Sequence, residues 1–322
     1  MSDSTVNAII HQMRVEAFNI ISLELRPAHA GKIFLPADAG SHIDIHLTDA
    51  LVRSYSLVHP SLGDKYTVAV LKDRNSRGGS TYVHEKLRVG QPIAISLPRN
   101  NFRLQEEAEA SVLIAGGIGI TPVYAMLQRL AALGKPAHLI YCARSRGDAA
   151  YVDEIAKLVA SHPHLSVHWH WDDENGGAPL LDALLADTPA STHLYACGPA
   201  PLLKAFEAAC DRLGLRHAHL ERFAAPSVCS GGEAVACTVE LRKSGRSVLV
   251  PPGANLLDTL LASGLNPSHS CKEGICGACE TRVLEGDVEH LDGVLTQQER
   301  AANKSMMICV SRARSNRLVL DM

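Results

Sequence analysis

No apolar run in this sequence approaches the roughly 18 residues that a membrane-spanning helix needs. The first residues, Met1-Ser2-Asp3-Ser4, offer neither a basic stretch nor an apolar one, so no secretory leader is expected and a cytoplasmic location follows. Positive charge is not in excess either. Lys and Arg number 31 against 34 Asp and Glu, a formal net charge of −3, which excludes attachment to nucleic acid by bulk electrostatics. Nine cysteines form an odd set in a long chain without a leader. A disulfide scaffold is therefore not expected, and a metal or cluster site is the better account of any close cysteine spacing. Repeats and low-complexity tracts are also missing. The 322 residues, 46% hydrophobic and 20% charged, suffice for two or three domains at about 150 residues each.

The chain changes texture twice. Up to about residue 103, short segments alternate apolar and polar residues between Gly40, Gly63 and Gly90, as in His42 to Leu47, Tyr66 to Val70 and Pro92 to Leu97. This is the pattern of half-buried antiparallel strands, hence a small barrel or sandwich. Beyond residue 107 the period changes. The apolar run Ser111 to Ala115 precedes a glycine turn and a helix with apolar residues at 123, 126, 127, 130 and 133. Strands at 137–142, 167–171 and 192–197 then alternate with helices near 152–160, 180–186 and 202–213. Such alternation predicts a doubly wound parallel sheet. Residues 224–233 lack periodicity and read as a linker. A strand pair at 237–242 and 247–250, a helix at 255–263, a cysteine-rich loop and a last strand at 318–320 complete the chain.

The cysteine loop carries the sharpest signal. Cys271, Cys276 and Cys279 spell C-x4-C-x2-C, and Cys309 follows 30 residues later, which is the spacing of plant-type 2Fe–2S proteins. One loop can supply three thiolates only if its backbone wraps the cluster closely, and Gly274, Gly277 and Ala278 permit that. Four thiolates also suit zinc, although zinc sites usually show two C-x2-C knuckles and this chain has one. The remaining five cysteines have no ligand spacing and read mostly as small buried hydrophobes.

Ala115 to Pro122 joins a strand to a helix through Gly116, Gly117 and Gly119. Free amides at a helix start suit a pyrophosphate. As a dinucleotide fingerprint the turn is imperfect, since Pro122 stands at the third glycine position and no acid follows the second strand. A tight structural turn is the alternative. Cys197-Gly198-Pro199 ends a later strand of the same sheet, where ligands bind, and Cys197 could face a nicotinamide ring. In the first segment, Arg53-Ser54-Tyr55-Ser56 could grip a phosphate, stack on a flat ring and bond its edge. Arg77-Gly78-Gly79-Ser80 at a helix start forms an anion nest. Each of these alone is equally a polar strand face or a loop. His168 and His170 share a strand face without an evident further ligand, so a strand edge is preferred to a metal site. Glu289-His290-Leu291-Asp292 reads as a solvated turn or a partner-docking patch.

Taken in order, these motifs resemble the phthalate dioxygenase reductase family, whose relatives include vanillate demethylase reductases, and the resemblance runs over essentially the whole chain. It implies a multi-domain α/β plus β fold. A ferredoxin-reductase-like antiparallel flavin barrel would occupy 1–105 and a doubly wound parallel NAD-binding domain 106–226. A linker at 227–236 would lead to a C-terminal plant-type ferredoxin β-grasp domain at 237–322. The implied cofactors are FMN, a 2Fe–2S cluster and NADH, with NADPH kept open because Arg144 and Arg146 follow the second strand of the nucleotide domain. Arg53, Ser54, Tyr55 and Ser56 would lie against FMN, with Val70, Leu71 and Lys72 as a neighbouring backbone edge. Arg77, Gly78, Gly79 and Ser80 would bind its phosphate. Thr121 would approach the flavin from the nucleotide domain and Phe223 would cover the ring. Gly117, Gly119, Cys197, Gly198 and Pro199 would serve the dinucleotide, and Ser56, Thr121, Cys197 and Phe223 would border the hydride path. Cys271, Cys276, Cys279 and Cys309 would hold the cluster. The implied activity is that of an NADH-dependent reductase, a monomer that passes electrons through FMN and the cluster to a terminal Rieske-type oxygenase in aromatic-compound breakdown. A freestanding flavin or ferric reductase using small acceptors is the alternative.

Overall fold

The computed structural model describes residues 5–223 and 236–322. The expected linker at 227–236 lies, but for Ala236, outside the described residues. Contacts divide the chain into two compact units, one ending at Glu221 and the other running from Arg222 to Met322.

The first unit begins with β1 (Thr5–Ala17), β2 (Ile20–Pro27), β3 (His42–Thr48), β4 (Leu51–Ser56), β5 (Tyr66–Leu71), helix α1 (Gly79–Glu85) and β6 (Pro92–Ser96). The six strands pair antiparallel in the order β4-β3-β6-β1-β2-β5. Leu57 bridges Val68, and the Val58 amide donates to the Thr67 carbonyl at 2.9 Å, so the two edges meet and the sheet closes into a barrel. Side chains two apart point inward together: Leu23 and Leu25, Ile43 and Ile45, Val68 and Val70, Ile93 and Ile95 form one core. Strand β3 departs from the half-buried expectation. Its other face is covered too, and Asp44 there is held by Arg99 and by the Ser54 hydroxyl, each at 2.5 Å.

The same unit continues with β7 (Ser111–Gly116), α2 (Ile120–Leu133), β8 (Ala137–Ala143), α3 (Val152–Ser161), β9 (Leu165–Trp171), α4 (Asp172–Asn175), α5 (Leu181–Leu185), β10 (His193–Cys197), α6 (Ala200–Leu213) and β11 (Ala218–Glu221). The strands are parallel in the order β11-β10-β7-β8-β9. Alternate residues divide the sheet's two faces. Leu113, Leu139, Tyr141 and Tyr195 pack with α2 and α3, whereas Ile114, Ile140, Leu194 and Ala196 pack with α5 and α6. This is the doubly wound arrangement. The α2 side also takes in Ile20, Val58, Ala69 and Phe102 from the barrel region, so barrel and sheet share a core.

The second unit contains β12 (Cys237–Leu241), β13 (Arg246–Val250), α7 (Leu256–Ala262), β14 (Glu280–Glu285), β15 (Val288–Glu289), α8 (Gln297–Ala302), β16 (Ser305–Met307), β17 (Arg312–Ala313) and β18 (Arg317–Leu320). Its main sheet runs β13-β12-β18-β14-β16, with β12 and β18 parallel, and α7 packs Leu256, Leu257 and Leu260 against it. One helix laid across a mixed sheet is the expected ferredoxin-type architecture. Asn255 starts α7 by accepting the Asp258 amide at 3.0 Å, the usual stabilising cap. Its side-chain Nδ2 donates to the Cys309 carbonyl at 2.6 Å, tying the helix to the cysteine segment.

Candidate functional site: a barrel groove, a dinucleotide turn and a four-cysteine centre

In the barrel, the Arg53 guanidinium donates to the Arg77 carbonyl at 2.8 Å. It crosses Gly79 so closely that a Cβ there would stand 2.6 Å from Arg53 Cγ, so the second glycine of the nest is required for this approach. Gly78 has φ of +88°, which favours glycine. Arg53 and the 77–79 turn thus meet. The neighbouring polar groups are engaged within the protein: Ser80 Oγ accepts the Asp73 amide at 3.1 Å, Lys72 pairs with Glu85 at 2.9 Å, and Ser54 is committed to Asp44. Val70 is buried in the core, while Leu71 points outward.

In the parallel sheet, strand order reverses between β7 and β10, and the crevice beyond their carboxyl ends is where open α/β sheets bind ligands. Two turns meet there. A Cβ on Gly119 would lie 2.2 Å from the Cys197 carbonyl oxygen, and one on Gly116 would lie 2.7 Å from Pro199 Cδ. Gly198 in turn sits against the Gly116 backbone. These glycines let two backbones touch. Gly117 differs: its φ is +53° and nothing lies within 4 Å of its Cβ position, so it faces open space. The buried Thr121 hydroxyl donates to the Ile118 carbonyl at 3.1 Å and braces the turn.

Barrel and sheet meet at a residue that sequence reading missed. Ser56 Oγ, at the end of β4, donates to Glu221 Oε2 at 3.3 Å. Glu221 ends β11 and pairs in register with Cys197. Burial pushes the Glu221 carboxyl up to about 8, the Ser56 hydroxyl opposing only in part, so the group holds a proton at neutral pH. Burial likewise lifts the Cys197 thiol well above its usual range, with the Glu221 charge adding to the effect. Cys197 is therefore a neutral, polarisable wall and no thiolate nucleophile. The only local hint of Glu221 is a charge closing a short apolar strand. Phe223 belongs to the second unit, with 36% of its surface exposed.

In the second unit, Cys271, Cys276, Cys279 and Cys309 are all buried, none more than 5% exposed. Cys276 acts most strongly on Cys271, and Cys279 on Cys309. The Cys276 contact and the amides of Ile275, Glu273 and Cys276 pull the Cys271 thiol down; the Glu273 amide lies 3.3 Å from its sulfur. Cys279, burial and the neighbouring sulfur charges push Cys309 up, against a hydrogen bond from the Gly274 backbone. Among the described residues no three ligand side chains converge on one ion. Four buried sulfurs that do not converge on one point, with backbone amides aimed at Cys271, fit a two-iron cluster better than a single tetrahedral zinc. Lys272, Gly274 and Gly277 all have positive φ, which curls the loop, and a Cβ on Gly274 would strike Val310 at 2.5 Å.

Of two further candidates, one keeps its expected place and one does not. His170 donates from Nε2 to the Gly177 carbonyl at 2.8 Å, a strand-edge contact. The 289–292 segment is not a solvated turn, because Asp292 has no exposed surface.

Residues 113–208 match the oxidoreductase NAD-binding domain model and 239–314 the 2Fe-2S iron-sulfur cluster binding domain model. The chain is 42% identical to a tetrachlorobenzoquinone reductase of Sphingobium chlorophenolicum, over 99% of this chain and 98% of that one. It is 44% identical to the phenoxybenzoate dioxygenase subunit beta of Ectopseudomonas oleovorans, over 98% and 97%. Among solved structures, phthalate dioxygenase reductase, described as a modular structure for electron transfer from pyridine nucleotides to [2Fe–2S], matches 99% of this chain and 98% of its own, at 31% identity and a TM-score of 0.71. The chain belongs to the phthalate dioxygenase reductase family. An intact type IV self-sufficient cytochrome P450 monooxygenase also matches, at 37% identity and a TM-score of 0.88, and there this chain spans 41% of the length. As a member of the phthalate dioxygenase reductase family, the protein is an electron-transferring oxidoreductase whose cofactor set is FMN, a 2Fe–2S cluster and a nicotinamide dinucleotide. No helix among the described residues is long and apolar enough to cross a membrane.

Proposed function

We propose that the protein is the reductase component of a multicomponent aromatic-ring oxygenase or O-demethylase, drawing electrons from NADH and delivering them to a separate terminal oxygenase of the Rieske type. The observation that carries this reading is the Ser56–Glu221 contact, which brings the barrel strand expected to face a flavin to the edge of the dinucleotide crevice beside Cys197. The bound groups supply the redox chemistry, a flavin able to take the two electrons of a hydride and a 2Fe–2S centre able to take one at a time.

The chain's own residues bind and orient. Arg53, Arg77, Gly78, Gly79 and Ser80 would hold the flavin phosphate, Tyr55 and the backbone edge at 70–72 would flank the ring, and Thr121 would border it. Gly117 and the turn at 197–199 seat the dinucleotide. The neutral Cys197 thiol and the protonated Glu221 keep net charge away from the nicotinamide position. Cys271, Cys276, Cys279 and Cys309 hold the cluster. NADH is favoured over NADPH by the neighbours of Arg144. Its carbonyl accepts the Asp173 amide at 3.0 Å, which seats the acidic turn Asp172-Asp173-Glu174 beside it, unfavourable to an added phosphate. The reading includes a monomer in the cytoplasm, where NADH is supplied. It is tested by turnover of a purified terminal oxygenase with NADH and this protein: dependence on both supports it, and an oxygenase that remains idle refutes it.

A second reading, a freestanding reductase of small acceptors, is favoured by the 42% identical relative named for a quinone. Rapid NADH-dependent reduction of a halogenated quinone, with no transfer to any oxygenase, would select it.

A further inference from the structure

A carboxylate wholly removed from water is costly unless it is hydrogen-bonded and paired, and Asp292 has 0% of its surface exposed. One of its oxygens accepts the amides of Val294 at 3.0 Å and Leu295 at 2.8 Å. The other accepts the Ser311 hydroxyl at 3.4 Å, two residues beyond Cys309. Its backbone carbonyl accepts the Arg300 guanidinium at 2.5 Å, and that guanidinium stands 3.8 Å from the carboxylate. His290 lies 3.9 Å away and is kept toward its neutral form by burial. The next amide, from Gly293, donates to the Gly274 carbonyl at 2.8 Å, and a Cβ on Gly274 would lie 3.2 Å from the Asp292 Cα. Asp292 therefore fastens its segment to both parts of the cysteine set, the loop between Cys271 and Cys276 through Gly274, and the Cys309 segment through Ser311.

We propose that Asp292 is a positioning residue for the cysteine loop and that the Asp292–Arg300 pair tunes the electron affinity of the centre the loop holds. The inference rests on the assignment of the four cysteines as cluster ligands. An added electron is a negative charge. A buried carboxylate nearby opposes it, strongly because water is excluded from it, and a partly exposed guanidinium favours it.

The test is a mediated redox titration of the full, cluster-loaded protein, read by electron paramagnetic resonance and accompanied by iron analysis and the rate of NADH oxidation with ferricyanide. Asp292→Asn is expected to shift the midpoint potential positive and Arg300→Gln to shift it negative, with the ferricyanide rate unchanged in both. Asp292→Ala is expected to lose iron. Potentials equal to wild type in both charge variants, or displaced in the same direction, overturn the proposal. Should Asp292→Asn fail to retain iron, the sign of the Arg300→Gln shift alone decides. A wild-type protein that carries no iron would instead refute the ligand assignment.

Discussion

The Ser56 hydroxyl reaches the Glu221 carboxyl at 3.3 Å across 165 positions of sequence, and in doing so joins the last residue of a barrel strand to the last residue of the parallel sheet's edge strand. The contact places one partly buried, protonated acid beside a buried neutral thiol at the mouth of the dinucleotide crevice.

That acid makes the protein sensitive to pH. A carboxyl whose pKa is raised by folding keeps a proton that the unfolded chain releases above about 4.5. Stability from this group is therefore greatest below that pH, and is lost progressively as pH rises to about 8. Glu221→Gln, neutral throughout, is expected to flatten this slope and to melt higher than wild type at pH 9, as differential scanning calorimetry would show. The rate of NADH oxidation in the wild type should change near pH 8, and that inflection should vanish in the variant. An unaltered slope and inflection would mean that Glu221 does not titrate in this range.

Gly119 and Gly117 should respond differently to alanine. At Gly119 the new methyl would meet the Cys197 carbonyl at 2.2 Å, and backbone cannot yield as a side chain can. Overpacking of this kind costs on the order of 1–3 kcal/mol, so Gly119→Ala is expected to lower the melting temperature and weaken NADH binding together. At Gly117 there is space, and only the positive φ is penalised, by about 1–2 kcal/mol. Gly117→Ala should melt closer to wild type while its KM for NADH rises. Equal melting losses in the two variants would refute the distinction.

Cys276→Ala should separate input from output. Hydride uptake depends on residues of the first unit, so NADH oxidation with ferricyanide should be unchanged. Cytochrome c reduction, which needs the four-cysteine centre, should fall to background. Normal cytochrome c reduction by this variant would overturn the order of transfer.

The cysteine ligands were legible in sequence because their spacing along one loop is itself the signal. The parallel sheet was legible because β7, β8 and β10 are buried on both faces and bounded by turn residues. Strand β1 was not. Register shifts between Ile10 and Gln12 and between Val15 and Ala17 break its alternation, so its 13 residues show no period of two. Strands β15 and β17, two residues each, are too short to have a period. The roles of Glu221 and Asp292 were not legible for a different reason: their partners Ser56, Gly274 and Ser311 come from distant parts of the chain. Gly119 was legible as a functional glycine, but its local reason, contact with the Cys197 carbonyl, exists only once β7 and β10 lie side by side.

The central claim is that one chain couples a dinucleotide-fed flavin to a 2Fe–2S centre. The most direct test is the visible absorption spectrum of the purified protein before and after anaerobic addition of NADH. Flavin bands on a broad cluster shoulder are expected, and both should bleach on adding NADH. Flavin bands that bleach while the shoulder persists, or a spectrum that ignores NADH after reconstitution with FMN, iron and sulfide, would contradict it.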